Sequence, residues 1–197
     1  MNLRHYFERE IDQHLAVVEQ ARGSLAAPFA RLTEACVASL KGGGKILFFG
    51  NGGSAADAQH LATELTVRYV GDRPAIAALA LTTDTSAITA TGNDMGFERI
   101  FSRQIEALGQ PGDVAIALST SGRSPNVLRG LEQARAQGLV AAALGGGDGG
   151  DLPHLADPLL LVPGTITARI QEVHIMLGQM LCGAIEIELG HAREPSP

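Results

Sequence analysis

The sequence predicts an α/β protein built on a doubly wound, five-stranded parallel sheet with helices on both faces. Three observations predict it. Five short apolar runs, at residues 46–49, 76–81, 114–118, 139–144 and 157–162, have the length and composition of buried strands. Segments of helical periodicity separate them, so each strand reaches the next through a crossover and the strands run parallel. Glycine-rich or hydroxyl-rich turns follow the first and third runs, where sheets of this kind bind ligands beyond the carboxyl ends of their strands. With 197 residues the chain is expected to form a single domain. Within it, residues 1–42 form an N-terminal helical hairpin, 43–190 the α/β core with a long C-terminal helix, and 191–197 a tail.

Composition narrows the function classes. A net charge of −6 and the absence of any Lys/Arg run argue against a nucleic-acid surface. With no Trp and 4% aromatic residues there are few platforms on which bases could stack. No uninterrupted apolar run reaches the ~18 residues of a membrane span, and the charged, periodic N-terminus is unlike a signal peptide. Cys36 and Cys182 sit in apolar helical contexts without metal-type spacing. They read as reduced core residues of a soluble cytoplasmic protein.

Leu3, Phe7, Ile11, Leu15, Val18 and Leu25 recur at spacings of mostly three and four, which predicts one amphipathic helix. Phe29, Leu32, Cys36 and Leu40, with Pro28 in the first turn, predict a second that ends at Gly42-Gly43-Gly44. A hairpin outside the core needs something to pack on, and a partner subunit is one candidate. The first strand breaks at Gly50-Asn51-Gly52-Gly53 and a helix restarts at Ser54, a suitable N-cap. Strand, glycine turn and helix N-terminus together present backbone N–H groups to an anion or polar ligand.

On that helix His60 and Glu64 are four residues apart and share a face. An imidazole and a carboxylate at this spacing can ligate one divalent metal or act as an acid–base pair; an exposed hydrogen-bonded pair is the plainer alternative. The second strand leads to a hydroxyl-rich turn, a short helix and a polar turn at Gly92-Asn93-Asp94. The third opens into Ser119-Thr120-Ser121-Gly122-Arg123-Ser124, with Ser124 a potential cap and Pro125 at the first helical position. Hydroxyls around a glycine at a strand-to-helix turn form a phosphate cradle; an ordinary serine-rich loop is the alternative. The fourth strand precedes a flexible loop at residues 145–150, and the fifth is expected at the sheet edge. Residues 165–189 form a helix that is apolar nearly all round, suited to burial in a subunit interface. Its polar groups Gln171, Glu172, His174 and Gln179 need partners if buried.

Gly50-Asn51-Gly52-Gly53-Ser54, His60 with Glu64, Gly92-Asn93-Asp94, Ser119-Thr120-Ser121-Gly122 and the run from Arg169 to His174 stand in order along the chain. Together they closely resemble the phosphoheptose isomerases, a branch of the sugar isomerase (SIS) domain proteins, over nearly the whole chain. The resemblance implies the SIS fold and a cytosolic homotetramer that interconverts sedoheptulose 7-phosphate and D-glycero-D-manno-heptose 7-phosphate. That reaction supplies heptose to lipopolysaccharide or other surface glycans. It implies zinc held by His60, Glu64, Gln171 and the residue at 179, and catalysis by Glu64 with His60. It implies substrate contacts at Asn51, Gly52, Gly53, Ser54, Glu64, Asn93, Asp94, Ser119, Thr120, Ser121, Ser124 and Gln171. Two positions depart from the family pattern: Gln179 stands in place of histidine, and Ala168 where some members carry aspartate. An amide can offer oxygen to a metal but moves no proton near neutral pH. The resemblance therefore also admits a non-catalytic SIS tetramer that binds a replication initiator protein.

Overall fold

The computed structural model describes residues 1–193; the end of the expected tail, residues 194–197, lies outside the described residues. Helices α1 (Leu3–Ser24) and α2 (Ala26–Lys41) lead into strand β1 (Ile46–Gly50) and helix α3 (Gly53–Thr66). Strand β2 (Ala78–Ala80), helix α4 (Thr85–Asp94), a 3-10 turn (Phe97–Arg99) and helix α5 (Ser102–Leu108) follow. Strand β3 (Val114–Ser119), helix α6 (Pro125–Ala136), strand β4 (Val140–Gly146), short helix α7 (Leu152–Leu155), strand β5 (Leu159–Val162) and helix α8 (Thr167–Glu188) complete the chain. The five strands are all parallel, in the order β2-β1-β3-β4-β5, with β5 at an edge as expected.

Alternation along the strands divides the core into two layers, because successive side chains of a strand point to opposite faces. Ile46, Phe48, Val114, Ile116 and Leu118 pack against α1, α2, α3 and α8. Leu47, Phe49, Ala115 and Ala117 face α5 and α6 on the other side, with Phe49 and Phe101 ring centroids 5.3 Å apart. Cys36 and Cys182 are free and buried in the first layer. A single residue, Leu25, joins α1 to α2, and each lies chiefly against α8 rather than against the other. The apolar stripe of α1 stays open to solvent: Leu3, Phe7, Ile11 and Leu15 are exposed.

Three boundaries differ from the sequence reading. β2 is shorter because Ile76 N–H bonds to Leu65 O at the end of α3, not to the ladder. β4 runs through Gly145 and Gly146, which the sequence assigns to a loop; both pair in the sheet, with Leu161 and Val162. These glycines admit close neighbours, since a Cβ at Gly146 would lie 2.5 Å from Ile170 of α8 and one at Gly145 2.7 Å from Leu152 of α7. Ser54 is not the N-cap of α3. Gly52 takes that position at φ 56°, and its carbonyl accepts from Ala55 N–H and Ala56 N–H, so the turn at Gly52 starts the helix two residues earlier.

Candidate active site

β1 and β3 are neighbours, paired up to Gly50 and Leu118, and each ends at the N-terminus of a helix. A cavity of about 90 Å³ lies there, lined by Asn51, Ser54, Leu118, Ser119, Thr120, Ser121 and Ser124. No cation among the described residues lines it, so any pull on an anion would come from the α3 and α6 dipoles and from neutral donors. The hydroxyls are set up to donate. Ser119 Oγ accepts Gly122 N–H at 3.1 Å and Ser121 Oγ accepts Arg123 N–H at 3.3 Å, which leaves each hydroxyl proton free for a ligand. Ser124 starts α6 with its carbonyl, bonded to Val127 and Leu128 N–H. Its side chain makes no capping bond, contrary to the capping role read from sequence, and it remains available to the cavity. The turn has no room for side chains at its base: a Cβ at Gly122 would lie 1.9 Å from Gly149 O.

Two turns further along α3, three polar groups meet. His60 Nε2 lies 3.1 Å from Glu64 Oε1 and 2.6 Å from the amide of Gln179 on α8. These contacts make opposite demands on one nitrogen. A protonated Nε2 satisfies the carboxylate and requires the Gln179 oxygen, whereas an unprotonated one satisfies the Gln179 N–H and faces the carboxylate with a lone pair. As placed, Gln179 Nε2 donates to the His60 lone pair; with the amide turned over, its oxygen, the imidazole lone pair and the Glu64 carboxylate would offer three acceptors that one cation could satisfy. The donor set fits a divalent ion, with oxygen in the majority. Among the described residues no three His, Cys, Asp or Glu side chains gather into a metal group, so a metal here would need an amide as a further ligand.

Gln171, two turns before Gln179 on α8, lies against Gly53 at the start of α3, where an added Cβ would sit 1.8 Å from its Nε2. Its amide also faces Asp57. Burial pushes the Asp57 carboxyl above its ordinary range, against the opposing pull of the Gln171 amide and of His60. One Asp57 oxygen is buried without a partner. The far end of α3 is held by Arg73, whose guanidinium donates to Glu64 O and Leu65 O at 2.6 Å each. The fully buried Glu186 of α8 accepts from Arg73 Nε, also at 2.6 Å. The backbone under Glu64 is thus clamped by a cation standing at a helix C-terminus, where the dipole favours it.

The structure therefore brings together Asn51, Ser54, Ser119, Thr120, Ser121 and Ser124 in one cavity, and His60, Glu64 and Gln179 in a second cluster. Gly52 and Gly53 form the turn between them, with Gln171 on it. Asn93 and Asp94 close the last turn of α4 and bond to each other at 2.7 Å; among the described residues they bond to no member of either group. His174 is fully buried and holds Gly145 O at 2.9 Å, so it serves the fold. Sequence reasoning missed Asp57, Arg73 and Asn126, whose side chain pairs with Asn51. Asp57 had a signal, since it shares the helical face of His60 and Glu64 at spacings of three and seven. A larger cavity, about 650 Å³, lies between α2 and the end of α8 and contains none of these residues.

The parallel five-stranded sheet carries a hydroxyl-lined cavity at adjacent strand ends, and residues 8–146 match the family described as SIS domain, which places the chain in that class. Within that class the chain belongs to the phosphoheptose isomerase family. It is 59% identical to the phosphoheptose isomerase of Paramagnetospirillum magneticum over 94% of this chain and 97% of the relative. Identity to that of Trichlorobacter lovleyi is 48%, over 93% and 94%. Among solved structures, the phosphoheptose isomerase from Neisseria gonorrhoeae superposes with a TM-score of 0.89 at 42% identity, covering 94% of this chain and 100% of that one. The one from Francisella tularensis gives 0.91 at 34%, over 95% and 100%.

Proposed function

We propose that the protein interconverts sedoheptulose 7-phosphate and D-glycero-D-manno-heptose 7-phosphate through an enediolate. The observation that carries this is the separation of two chemistries along one helix. Ser54 at the anion cavity and His60 at the acceptor cluster are six residues apart, about 9 Å at 1.5 Å per residue. That suits an extended seven-carbon sugar with its phosphate at one end and its carbonyl at the other. The relatives named above are isomerases, which favours turnover over the initiator-binding alternative.

Ser119, Thr120, Ser121 and Ser124 bind the phosphate with hydroxyl protons, and the two helix N-termini supply the compensating field. Asn51, Gly52 and Gly53 border the path from the phosphate to the reacting carbons. Glu64 takes the proton from one carbon and returns it to the other, a transfer that needs a carboxylate held over both, while the hydroxyl proton passes from one sugar oxygen to the other through His60 or water. His60 and the Arg73 clamp hold Glu64 in place, and Gln179, an amide, orients His60 without exchanging a proton. Zinc is the ion we assign, with His60, Glu64, Gln171 and Gln179 as its ligands. When bound, it would supply positive charge to the sugar oxygens on which the enediolate charge develops. Asn93 and Asp94 are proposed to close on the sugar from α4.

We propose a homotetramer, supported by the exposed apolar stripe of α1 and by an apolar groove between α1, α2 and α8 that includes Leu25, Phe29 and Met180. Sedimentation should give four times the 20.5 kDa chain mass. No helix among the described residues is long and apolar enough to cross a membrane. We place the enzyme in the cytoplasm, supplying heptose for lipopolysaccharide or another surface glycan. The decisive test is turnover of sedoheptulose 7-phosphate by zinc-loaded protein in deuterated water. The aldose should appear with solvent deuterium at the carbon that gains the proton, and absence of turnover would overturn the reading.

A further inference from the structure

Asn126, a buried polar side chain beside the hydroxyl-lined cavity, has no role in the mechanism. Asn126 stands in the first turn of α6, directly after Pro125, and is 3% exposed. Its Nδ2 donates to Asn51 Oδ1 at 2.8 Å, and its Oδ1 accepts from Asn51 Nδ2 at 2.9 Å. The two amides close a ring of two hydrogen bonds. We propose that Asn126 is a positioning residue for the reaction, fixing the Asn51 amide and the gap between the 50–54 turn and the 119–124 turn. The inference rests on the isomerase reading.

Three features of the geometry carry it. Beyond the Gly50–Leu118 pair, β1 and β3 part into separate turns. Among the described residues the amide ring supplies the only hydrogen bonds between residues 51–54 and the loop and first turn of α6. The ring is also directional. Rotating one amide alone sets oxygen against oxygen and N–H against N–H, so neither Asn turns over without the other. Finally, Asn51 lines the anion cavity and keeps one N–H and one lone pair outside the ring. Which of these faces the ligand is therefore settled by a residue that does not line the cavity itself. A buried, satisfied amide pair could serve stability alone, so the test must read something that stability would not move.

Asn126→Asp supplies it. The ionised carboxylate has no N–H for Asn51 Oδ1 and opposes it with a second acceptor; the protonated acid restores both bonds. None of the groups lining the cavity titrates between pH 5 and about 9, and the second ionisation of phosphate itself acts equally on the unsubstituted enzyme, so a transition present only in Asn126→Asp belongs to residue 126. Relative to the unsubstituted enzyme, kcat/KM of Asn126→Asp should be down about 100-fold at pH 8, the scale of a 1 Å misplacement, and should recover as pH falls to 5. The dissociation constant of inorganic phosphate, measured by calorimetry, should rise and recover over the same range. Asn126→Ser, which breaks the ring without adding charge, should show a loss of both that does not vary with pH. Superimposable pH profiles for Asn126→Asp and the unsubstituted enzyme would overturn the proposal, as would Asn126→Ser with both constants within about twofold of it. Should either variant fail to fold, the unsubstituted protein still decides. Its spectrum must show one slowly exchanging side-chain amide proton on each of Asn51 and Asn126, and two fast-exchanging pairs would refute the ring. Phosphate binding is measured without turnover, so failure of the isomerase reading and failure of this one are told apart.

Discussion

Gly53→Ala separates activity from stability at one atom. Gly53 does not occupy the left-handed backbone region, so alanine fits its conformation and the first turn of α3 gains up to about 1 kcal/mol from lost unfolded-state freedom. The new Cβ, however, would lie 1.8 Å from Gln171 Nε2 and 2.7 Å from its Cδ. The amide must retreat by about 1.5 Å before ordinary contact is restored. It is the far end of a flexible side chain and can swing away, so folding bears little of the strain. A displacement on this scale reduces kcat/KM by about 100-fold or more, about 2.7 kcal/mol of transition-state stabilisation. Thermal denaturation and steady-state kinetics on the same preparation are the assay. The melting temperature should hold or rise while activity falls. In a Gln171→Ala background the same substitution should cost little further activity, since the displaced group is already gone. Full activity in Gly53→Ala would refute the assignment of Gln171 to the site.

Three further outcomes follow from the geometry. Ser121→Ala removes a hydroxyl from the anion cavity; a hydrogen bond to a charged group contributes about 1.5–3 kcal/mol, so KM should rise roughly 10- to 100-fold, and an unchanged KM would place the phosphate elsewhere. Gln179→His should tighten zinc binding at least tenfold, about 1.4 kcal/mol, by calorimetry and raise turnover with it, while Glu64→Gln abolishes turnover; equal zinc affinity with and without the substitution would show that position 179 is no ligand. Burial holds His174 neutral down to about pH 4, whereas the unfolded chain takes up that proton near 6.5. Its contribution is therefore unchanged above pH 6.5, and stability is lost as pH falls toward 4, by up to about 1.4 kcal/mol per unit. His174→Gln, which keeps a donor for Gly145 O, should flatten that slope in denaturation curves at pH 7 and 5.

What was legible in the sequence was whatever rests on local periodicity and turn chemistry. The apolar runs and the glycine and serine turns place all five strands and the hydroxyl-lined cavity, because a strand end and a helix start are written within a few residues of each other. The boundaries at Gly145, Gly146 and Ile76 were not, since each is decided by a partner distant in sequence: Leu161, Val162 and Leu65. The same distinction holds in the site. His60 and Glu64 announce themselves by spacing, whereas Asn126 and Arg73 matter through Asn51 and the Glu64 carbonyl, contacts that no local pattern encodes. Ser54 and Ser124 look like caps because serine usually is one; Gly52 and the Ser124 carbonyl start the helices and leave both hydroxyls for the cavity.

The contacts between α3 and α8 advance along both helices together: Gln171 lies on Gly53, Gly178 opposite Leu61, Gln179 on His60, and Glu186 on Arg73 just past the end of α3. Two parallel rods matched at four points behave like a vernier. One residue inserted in either rod between the points would turn everything beyond it by about 100°, carrying a donor off the site or the clamp off Glu64 while leaving each helix as well formed as before. Exchanging one side chain for another on these helices therefore disturbs the site far less than changing the count of residues between them.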